Sequence, residues 1–474
     1  MNVMMTLAQV AAWLDGARLV GPTELSVVRV HTDTRTIQSG DLFVALQGER
    51  FDANAFLHDA QNHGAAAVLC HAGLDASAYP LYLPRIEVAD TKRALAQLAT
   101  QWRAQFTLPL VAITGSNGKT TVTQMVGSIL EAQAPDGAAL ATRGNFNNDI
   151  GVPLTLLRLR SQHQLAVVEL GMNHPGEIAG LAAMAQPTVA LVNNAQREHL
   201  EFMHTVEAVA QENGTVIAAL PADGVAVFPL DDDYTAVWQG LAAQRKAVQF
   251  GWQSVGAAQE VLCTGAEWVD GAWQVQASTP WGALRYRLAI AGRHNVKNSL
   301  AAAACALAAG VSPQAVVQGL QTFVPVKGRC RALQIARDGI NVTLVDDTYN
   351  ANPDSMRAAI QVLADLPGPR LLVLGDMGEV GEQGPEFHAE AGRFAHAQGI
   401  THVLALGEMA VHAVQACPGA EHFADVDALL LRVRALLPGV ASVLVKGSRF
   451  MRMERVVEAL AQAAPVTGGG THVV

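Results

Sequence analysis

Short, unbroken runs of apolar residues recur along the chain and alternate with longer stretches of helical periodicity. Three such runs lie at residues 110–113, 165–168 and 189–192. Runs of this length without polar alternation are typical of parallel strands that helices cover on both faces. At residues 273–276 and 284–288 polar and apolar residues alternate, which predicts antiparallel strands. The pattern therefore predicts an α/β fold with a central parallel sheet and a small antiparallel sheet.

The same pattern divides the chain into three predicted domains, at residues 1–86, 87–326 and 327–474. The first is a small α/β unit with a strand at 41–46, a helix at 56–63 and a strand at 65–69. The second holds the central sheet, between a helix at 92–106 and an alanine-rich helix at 297–309.

In the third domain, helical segments separate four strand candidates, at 342–345, 370–374, 402–406 and 442–445. This alternation predicts a doubly wound, Rossmann-like domain. A linker at 323–328 precedes it, and the tail from Pro465 is expected to be mobile.

Composition restricts the class of protein. A chain of 474 residues corresponds to about three domains. Its 32 basic and 42 acidic side chains give a net charge of −10 without a basic run, which argues against a nucleic-acid partner. The five scattered cysteines form no C-x-x-C pair and indicate a reducing compartment. Without a signal-peptide pattern or a membrane-spanning apolar stretch, we expect a cytoplasmic protein with no membrane insertion.

One segment after the run at 110–113 carries the most specific signal. Its residues are Gly115, Ser116, Asn117, Gly118, Lys119, Thr120 and Thr121, and a helical pattern follows. This layout is that of a phosphate cradle, in which Lys119 reaches the β- and γ-phosphates and Thr120 holds Mg²⁺. The usual further glycine is Ile113 here, so the match is to a shortened loop. The alternative is a chance glycine turn before a helix.

Two other polar residues follow buried strands. Glu169 ends the run at 165–168, and His199 closes the polar segment after the run at 189–192. Ligands of parallel α/β sheets bind outside the carboxyl ends of strands, so Thr120, Glu169 and His199 can converge on one Mg²⁺ if these strands are neighbours. The alternatives are an ordinary strand-end carboxylate for Glu169 and a structural or surface histidine for His199.

Two asparagine-rich segments are candidates for ligand contacts. Asn147 and Asn148 lie in a loop before Pro153, where amides can bind sugar, phosphate or peptide groups. A capped loop is the alternative. Asn295 and Asn298 are three residues apart at the start of the alanine-rich helix and share a face that can contact a base edge, although Asn295 also suits a helix cap.

Polar residues of the third domain lie at its hinge and strand ends. Arg329 follows the linker and can reach across on domain closure to stabilise phosphoryl charge, or it is a surface arginine. The candidates for ribose, metal or anionic-substrate contacts follow the first and last strands: Asp346, Asp347, Tyr349, Asn350, Lys446, Ser448 and Arg449. Helix capping and solvated charges are the alternatives.

Five motifs recur together: TGSNGKTT at 114–121, ELG at 169–171, HNxxN at 294–298, Gly328-Arg329 and KGSR at 446–449. In this combination the chain resembles, over essentially its whole length, the ATP-dependent Mur ligases of peptidoglycan synthesis. Further motifs are most similar to those of the family member that adds D-alanyl-D-alanine: TDTR at 32–35, DLFVALQGE at 41–49, NNDIGVP at 147–153, DDTYNANP at 346–353 and LGDM at 374–377.

The resemblance implies a cytoplasmic, monomeric amide ligase that uses ATP and Mg²⁺. ATP would phosphorylate the terminal carboxylate of UDP-N-acetylmuramoyl-tripeptide, whose last residue is diaminopimelate or lysine. The amine of D-alanyl-D-alanine would then displace phosphate. The alternatives are another Mur ligase, a folylpolyglutamate synthase or, in a different class, a nucleotide switch, although the guanine-reading Asn-Lys-x-Asp of a switch is absent.

The resemblance also implies roles for the candidate residues. The catalytic residues would be Lys119, His199 and Arg329, and the metal ligands Thr120, Glu169 and His199. The nucleotide would contact residues 115–121, Asn295, Asn298, Asp346 and Asp347. The UDP end would be held by Thr34, Arg35 and Gly48 of the first domain, and the remaining substrate contacts would come from Asn147, Asn148, Tyr349, Asn350, Lys446, Ser448 and Arg449.

The chain departs from the family at one position. The family usually has a lysine about fourteen residues after the equivalent of His199, which is modified to a carbamate and helps to hold a second Mg²⁺. Asn213 occupies that position, and no lysine occurs between Lys119 and Lys246. We therefore expect that Glu212 or Asn213 takes over this role, or that the second metal ion is held more weakly.

Overall fold

The computed structural model describes residues 3–48, 51–73, 82–337 and 340–461. The predicted tail from Pro465, and with it the end of the third predicted domain, lies outside these residues. Within them the chain forms four β-sheets with accompanying helices. No helix in these ranges is long and apolar enough to cross a membrane.

The N-terminal part contains a two-stranded and a five-stranded sheet. Its elements are β1 (Met5–Thr6), α1 (Leu7–Trp13), β2 (Arg18–Val20), β3 (Ser26–Val27), β4 (Arg29–His31), β5 (Asp41–Val44), α2 (Leu57–Asn62), β6 (Ala67–His71) and β7 (Arg85–Val88). β1 pairs with β3, and the larger sheet has the order β2-β7-β6-β5-β4. The predicted strands at 41–46 and 65–69 and the predicted helix at 56–63 are confirmed, with shifted ends.

The first predicted domain boundary, residue 86, falls inside β7. The second predicted domain begins with Glu87, but this residue is a buried member of the strand. Arg85 Nε and Arg18 Nη1 lie 2.7 and 3.2 Å from its carboxylate. Because these cations compensate the buried charge, the strand can continue past residue 86. The domain bounds themselves stay a prediction.

The central part forms a nine-stranded sheet. Its elements are α3 (Thr91–Arg103), β8 (Leu110–Thr114), α4 (Lys119–Gln133), β9 (Ala139–Ala141), α5 (Gly151–Leu156), β10 (Leu165–Glu169), α6 (Glu177–Ala185), β11 (Val189–Val192), α7 (Leu200–Met203), α8 (Val206–Ala218), β12 (Val225–Pro229), α9 (Thr235–Ala242), β13 (Lys246–Gly251), β14 (Glu260–Val269), β15 (Ala272–Ser278), β16 (Leu284–Leu288), α10 (Arg293–Ala308) and α11 (Pro313–Thr322). The strand order is β16-β15-β14-β13-β12-β11-β8-β10-β9.

Strand β8, which leads into the phosphate loop, lies between β10 and β11, and all three are parallel. The register places Glu169 beside Ile113 and Val192 beside Thr114. The phosphate loop, Glu169 and the segment after β11 therefore share the carboxyl edge of the sheet, which confirms that these strands are neighbours. The alternating strands β15 and β16 are antiparallel as predicted, and β14 joins them to the same sheet by pairing with β13 in parallel.

Helix α4 is held in place by close packing against α11. A Cβ on Gly319 of α11 would lie 2.4 Å from Ile129 Cα of α4, so only a residue without a side chain allows this approach. Helix α10 begins at Arg293, earlier than the predicted 297, and its alanines 301–304 are fully buried. These small side chains also permit close contact with the sheet. The packing fixes the start of α4, where the phosphate loop lies.

The third part is a six-stranded sheet. Its elements are β17 (Arg331–Arg337), β18 (Ile340–Asp347), α12 (Pro353–Asp365), β19 (Arg370–Gly375), α13 (Gly384–Ala397), β20 (His402–Leu406), α14 (Val411–Gln415), β21 (Glu421–Phe423), α15 (Val426–Leu436), β22 (Ser442–Lys446) and α16 (Glu454–Ala461). The order is β17-β18-β22-β19-β20-β21, and only β17 is antiparallel to its neighbour. The four predicted strands and the doubly wound arrangement are confirmed.

Candidate active site

A cleft of about 990 Å³ lies between the carboxyl edge of the nine-stranded sheet and the third sheet. Most of the predicted site residues line it: Ser116, Asn117, Gly118, Lys119, Thr120, Thr121, Asn147, Asn148, Glu169, His199, Asn295, Asn298, Arg329, Asp347, Tyr349, Asn350 and Lys446. The other predicted residues lie outside its walls: Gly115, Asp346, Ser448, Arg449, Thr34, Arg35 and Gly48. The structure thus brings together the phosphate-loop, amide and hinge candidates, but not those of the first domain.

Gly118 shapes the phosphate loop. It precedes α4 with φ +82°, and a Cβ there would lie 2.7 Å from both Asn193 Nδ2 and Asn298 Oδ1. The conformation and the space therefore both require glycine. Asn193 Nδ2 donates to Asn298 Oδ1 at 3.0 Å, and Asn298 Nδ2 donates to Asn295 Oδ1 at 2.9 Å. This buried row of amides supports the loop, and the expected contact of Asn295 and Asn298 with adenine stays a prediction.

The ammonium of Lys119 is turned toward its own loop. Nζ donates to Gly115 O at 2.6 Å and to Ser116 O at 3.1 Å, and it forms an ion pair with Glu198 Oε1 at 2.8 Å. The Lys119 and Glu198 side chains are 14% and 12% exposed. The cation that the sequence assigns to nucleotide phosphates is therefore already paired with a carboxylate.

Thr120 and Glu169 meet at the carboxyl edge of the sheet. Thr120 Oγ1 donates to Glu169 Oε1 at 3.2 Å, and Asn147 Nδ2 donates to the same oxygen at 2.8 Å. Glu169 Oε2 is buried and has no hydrogen-bond partner among the described residues. A hydroxyl beside an unpartnered buried carboxylate oxygen fits Mg²⁺, which prefers oxygen ligands. The described ranges contain no group of three or more His, Cys, Asp and Glu side chains that could hold a metal ion, so other oxygens would have to complete the coordination.

His199 contacts two carboxylates. Its φ is +51°, a conformation that a residue with a side chain rarely adopts. Nδ1 lies 2.6 Å from Glu379 Oε2 of the third domain, and Nε2 lies 3.6 Å from Glu198 Oε1. The close contact with His199 lowers the pKa of Glu379, although burial opposes the shift. The contact of Thr120 with Glu169 is established, whereas the place of His199 in a shared metal site stays a prediction.

Arg329 reaches across from the hinge to the phosphate loop. Its Nη2 donates to Thr120 Oγ1 at 3.2 Å, and its guanidinium carbon lies 3.9 Å from the centroid of the Tyr349 ring. An arginine can stack on an aromatic ring and still donate hydrogen bonds in the plane of the guanidinium. The predicted reach of Arg329 is confirmed, and its role in catalysis stays a prediction.

The strand-end carboxylates of the third sheet have different partners. Asp346 accepts hydrogen bonds from Gly328 N at 2.9 Å and from Thr348 Oγ1 at 2.6 Å, so it holds the hinge from outside the cleft. Asp347 lies beside Lys446 in the register of β18 and β22, and Lys446 Nζ is 2.6 Å from Asp347 Oδ2. The Lys446 side chain is only 3% exposed. It is therefore part of a buried ion pair rather than a solvated cation.

Ser448 and Arg449 make structural contacts. Ser448 Oγ accepts a hydrogen bond from Gly378 N at 2.6 Å and donates to Ala351 O at 3.1 Å. The exposed Arg449 forms an ion pair with Glu454 at 2.9 Å. The contacts of Ser448 join the loops after β18, β19 and β22, and the expected substrate contacts of Ser448 and Arg449 stay predictions.

A second arginine, Arg197, joins the central and third domains. Its Nη2 lies 2.7 Å from Asp354 Oδ1 of α12, and its Nη1 lies 2.7 Å from Glu390 Oε2 of α13. Burial works against the charge of Arg197, but hydrogen bonds with the two carboxylates raise its pKa overall. The amides of Asn117 and Asn352 also meet across the cleft, where Asn352 Nδ2 donates to Asn117 Oδ1 at 3.0 Å.

Three family models match the chain in succession. They are described as Mur ligase family, catalytic domain, over residues 26–103; Mur ligase middle domain, over 113–306; and Mur ligase, glutamate ligase domain, over 328–449. The UDP-N-acetylmuramoyl-tripeptide–D-alanyl-D-alanine ligase of Escherichia coli (strain K12) is 41% identical over 461 residues, which cover 97% of this chain and 98% of that one. This chain belongs to the Mur ligase family.

Two solved structures of Mur ligases share the fold over most of their length. A crystal structure of MurF from Acinetobacter baumannii has a TM-score of 0.88 at 36% identity, and the match covers 96% of this chain and 98% of that one. The MurF ligase from Thermotoga maritima in complex with ADP has a TM-score of 0.79 at 26% identity, over 92% and 97%. The fold class predicted from the sequence is thus confirmed.

The sequence analysis singles out the polar segment after β11 but assigns a role only to His199 within it. Asn193, Asn194, Gln196 and Glu198 of this segment also line the Mur ligase cleft, and they directly follow a buried strand at the edge that carries the phosphate loop. Their position directly after a buried strand is the feature of the sequence that indicates a place in the cleft. No comparable signal marked their partners in the third domain, because those contacts depend on how the domains are arranged.

The first-domain candidates lie apart from the cleft. Arg35 is exposed and donates to Asp33 through Nε and Nη2, at 2.9 and 2.7 Å. These bonds lower the pKa of Asp33 to about 2. Gly48 N donates to Phe51 O at 2.7 Å. The assignment of the UDP end to Thr34, Arg35 and Gly48 stays a prediction.

The two residues expected to replace the family's modified lysine are engaged elsewhere. Both carboxylate oxygens of Glu212 accept hydrogen bonds at the start of α6, from Gly176 N and Ile178 N, each at 2.9 Å. Asn213 Oδ1 accepts a hydrogen bond from Thr114 Oγ1 at 2.6 Å. Neither side chain lines the cleft. Glu212 therefore caps a helix and Asn213 pairs with Thr114 in this structure. The replacement of the modified lysine by Glu212 or Asn213, or a weaker hold on a second metal ion, stays a prediction.

Proposed function

We propose that this Mur ligase joins D-alanyl-D-alanine to UDP-N-acetylmuramoyl-tripeptide at the expense of ATP. The observation that carries the proposal is the cleft itself, in which a phosphate loop faces Arg329 and Lys446 of the next domain. The whole-length similarity to ligases that are named for this activity supports the choice of substrates.

The chemistry of amide formation matches the groups in the cleft. A carboxylate is a poor electrophile, so an oxygen of the peptide carboxylate first bonds to the γ-phosphorus of ATP, and the bond from that phosphorus to the departing ADP oxygen breaks. The amine nitrogen of the dipeptide then bonds to the acyl carbon, the amine loses a proton, and the carbon–oxygen bond to phosphate breaks. Both steps bring anions together in the cleft, and cations held in fixed positions lower that cost.

Different residues of the cleft suit different parts of the nucleotide and its metal ion. Backbone N–H groups at the start of α4 and the Lys119 ammonium suit the nucleotide phosphates. Arg329 suits the transferred phosphoryl group, because it already contacts Thr120 from across the cleft. Thr120 and Glu169 would hold Mg²⁺, which supplies positive charge at the nucleotide phosphates when it is bound.

The compartment and biological role follow from this activity. We propose that the protein acts in the cytoplasm as a monomer, in the synthesis of peptidoglycan precursors and thereby in cell shape and division. The five cysteines, Cys70, Cys263, Cys305, Cys330 and Cys417, are all free thiols, which suits a reducing compartment.

A phosphate-release assay distinguishes this activity from the alternatives. The purified protein, with MgATP, should release phosphate only when UDP-N-acetylmuramoyl-tripeptide and D-alanyl-D-alanine are both present. Replacement of the dipeptide by a diamino acid or by glutamate tests the other Mur ligases and the folylpolyglutamate synthases. A nucleotide switch would release phosphate without an acceptor.

The Lys119→Ala variant is the matched control for contaminating activity. It should form pentapeptide more slowly by several orders of magnitude, because one cation at the reacting phosphates is lost. Phosphate release by the wild type that ignores D-alanyl-D-alanine, or undiminished pentapeptide formation by the variant, contradicts the assignment.

A further inference from the structure

The Lys119 ammonium has no hydrogen-bond donor left for a phosphate. An ammonium carries three N–H donors. In the structure they face three acceptors, Gly115 O at 2.6 Å, Ser116 O at 3.1 Å and Glu198 Oε1 at 2.8 Å. A nucleotide phosphate that enters the loop must therefore replace one of these acceptors.

Glu198 is the acceptor that can leave without disturbing the loop. The other two acceptors are backbone atoms, and Ser116 is held by a hydrogen bond from its N–H to Asn194 O at 3.1 Å. Glu198, in contrast, contributes a side chain that can turn about its own torsions. It lies beside His199, with Oε1 at 3.6 Å from Nε2, and its Oε2 is buried without a hydrogen bond in the described residues.

We propose that Glu198 is a positioning residue for Lys119, which holds the ammonium against the loop before nucleotide binds and yields it to the nucleotide phosphates. The carboxylate and the phosphate are both anions that compete for one partly buried ammonium, so each excludes the other from the same donor. The proposal depends on the proposed function only for the reaction that follows. Nucleotide binding by itself tests it.

Calorimetric titration of MgADP into a double-mutant cycle measures this competition. The cycle consists of the wild type, Glu198→Gln, Lys119→Met and the double variant. Glu198→Gln should lower the Kd about tenfold, the equivalent of losing about one hydrogen bond to a charged group. In the Lys119→Met background the same change should have no effect, because the ammonium through which Glu198 acts is gone. Adenosine, which has no phosphate, should bind the wild type and Glu198→Gln equally.

Two outcomes overturn the proposal. If Glu198→Gln leaves the Kd unchanged or raises it, the carboxylate does not compete with phosphate for Lys119. If it lowers the Kd equally in the Lys119→Met background, Glu198 only repels the nucleotide as a nearby charge. Glu201→Gln is the matched control: it removes an exposed carboxylate from α7 in the same segment, and it should leave the Kd unchanged.

A second variant, Glu198→Asp, keeps the proposal testable if Glu198→Gln does not fold. Glu198→Asp keeps the charge but draws the carboxylate back from Lys119 by one methylene, so the Kd should fall in the same direction by a smaller factor. An unchanged Kd in a normally folded Glu198→Asp protein, as judged by its Tm without ligand, also counts against the proposal. Because none of these measurements needs turnover, a failure of the proposed ligase activity would leave their result intact.

Discussion

Replacing Arg197 by methionine should loosen the contact between the central and third domains when no ligand is bound. Nε and Nη2 of Arg197 lie between 2.7 and 3.2 Å from the Asp354 carboxylate, and Nη1 lies 2.7 Å from Glu390. Methionine retains an apolar stem that can pack on Phe387, whose ring centroid is 5.3 Å from the guanidinium carbon. The substitution therefore removes the charge and the hydrogen bonds but keeps much of the packing.

The size of the effect follows from the exposure of these side chains. Arg197, Asp354 and Glu390 are 24%, 23% and 25% exposed, so the network is neither buried nor fully solvated. Exposed ion pairs contribute about 0–1 kcal/mol, and hydrogen bonds to charged groups contribute about 1.5–3 kcal/mol. For the partly screened network we expect a contribution of about 2 kcal/mol to the free energy of the contact between the domains. Its loss corresponds to a change of about thirtyfold in the ratio of closed to open molecules.

Small-angle scattering without ligand measures this ratio. Arg197→Met should have a larger radius of gyration than the wild type. The matched control is Arg357→Met, because Arg357 pairs with the same Glu390, at 3.1 Å, but from within the third domain. Arg357→Met should scatter like the wild type. If Arg197→Met does so as well, the Arg197 network does not hold the domains together.

Acid should have a similar effect on the wild type. The hydrogen bond with Arg197 lowers the pKa of Glu390 below its ordinary value of 4.5. A carboxylate with a lowered pKa contributes its stability above the ordinary value and loses it as the pH falls through the lowered one. The wild type should therefore expand below about pH 4.5, whereas Arg197→Met should show less of this change. Equal pH profiles would contradict the coupling.

Three further substitutions test other parts of the cleft. Gly118→Ala should fold but bind MgADP about 5- to 150-fold more weakly in calorimetry, because the loop must move at a strain of about 1–3 kcal/mol. Lys446→Met should lower stability to denaturant by about 3–5 kcal/mol, because it leaves Asp347 buried and unpaired; adding Asp347→Asn should recover much of this loss. Asn213→Ala should lose about 1 kcal/mol of stability with its bond to Thr114, and its phosphate release should keep the wild-type dependence on Mg²⁺. A changed Mg²⁺ requirement would restore a metal role for Asn213.

The sheet core could be predicted from the sequence because its strands are continuously apolar. The runs that became β8, β10 and β11 are buried on both faces, and a short apolar run without polar alternation is typical of strands in that position. The edge strands β17 and β21 were missed. The sequence of β17, RALQIAR, mixes charged and apolar residues, and β21 is only three residues long, so neither carries a clear period.

The loop chemistry was predictable, whereas the partners across the cleft were not. The phosphate loop is local, because its glycines, lysine and hydroxyl are adjacent in sequence. Arg197 and Glu390, in contrast, are 193 residues apart, and their contact exists only because α13 lies beside the polar segment that follows β11. Lys446 illustrates the same limit. Its residue type suggested a solvated or substrate-binding cation, but strand register pairs it with Asp347.

The charges in the cleft explain how an acidic protein can admit anionic ligands. Lys119 and Lys446 are each paired with a carboxylate, so neither presents a full positive charge to a distant anion. Arg329 contacts a hydroxyl and an aromatic ring, and the described residues provide no carboxylate partner for it. An approaching phosphate should therefore be attracted first by Arg329 and by the backbone N–H groups at the start of α4. Lys119 strengthens binding only after it exchanges its carboxylate for the phosphate. Loss of Arg329 should accordingly slow nucleotide association, whereas loss of Lys119 should mainly speed nucleotide dissociation.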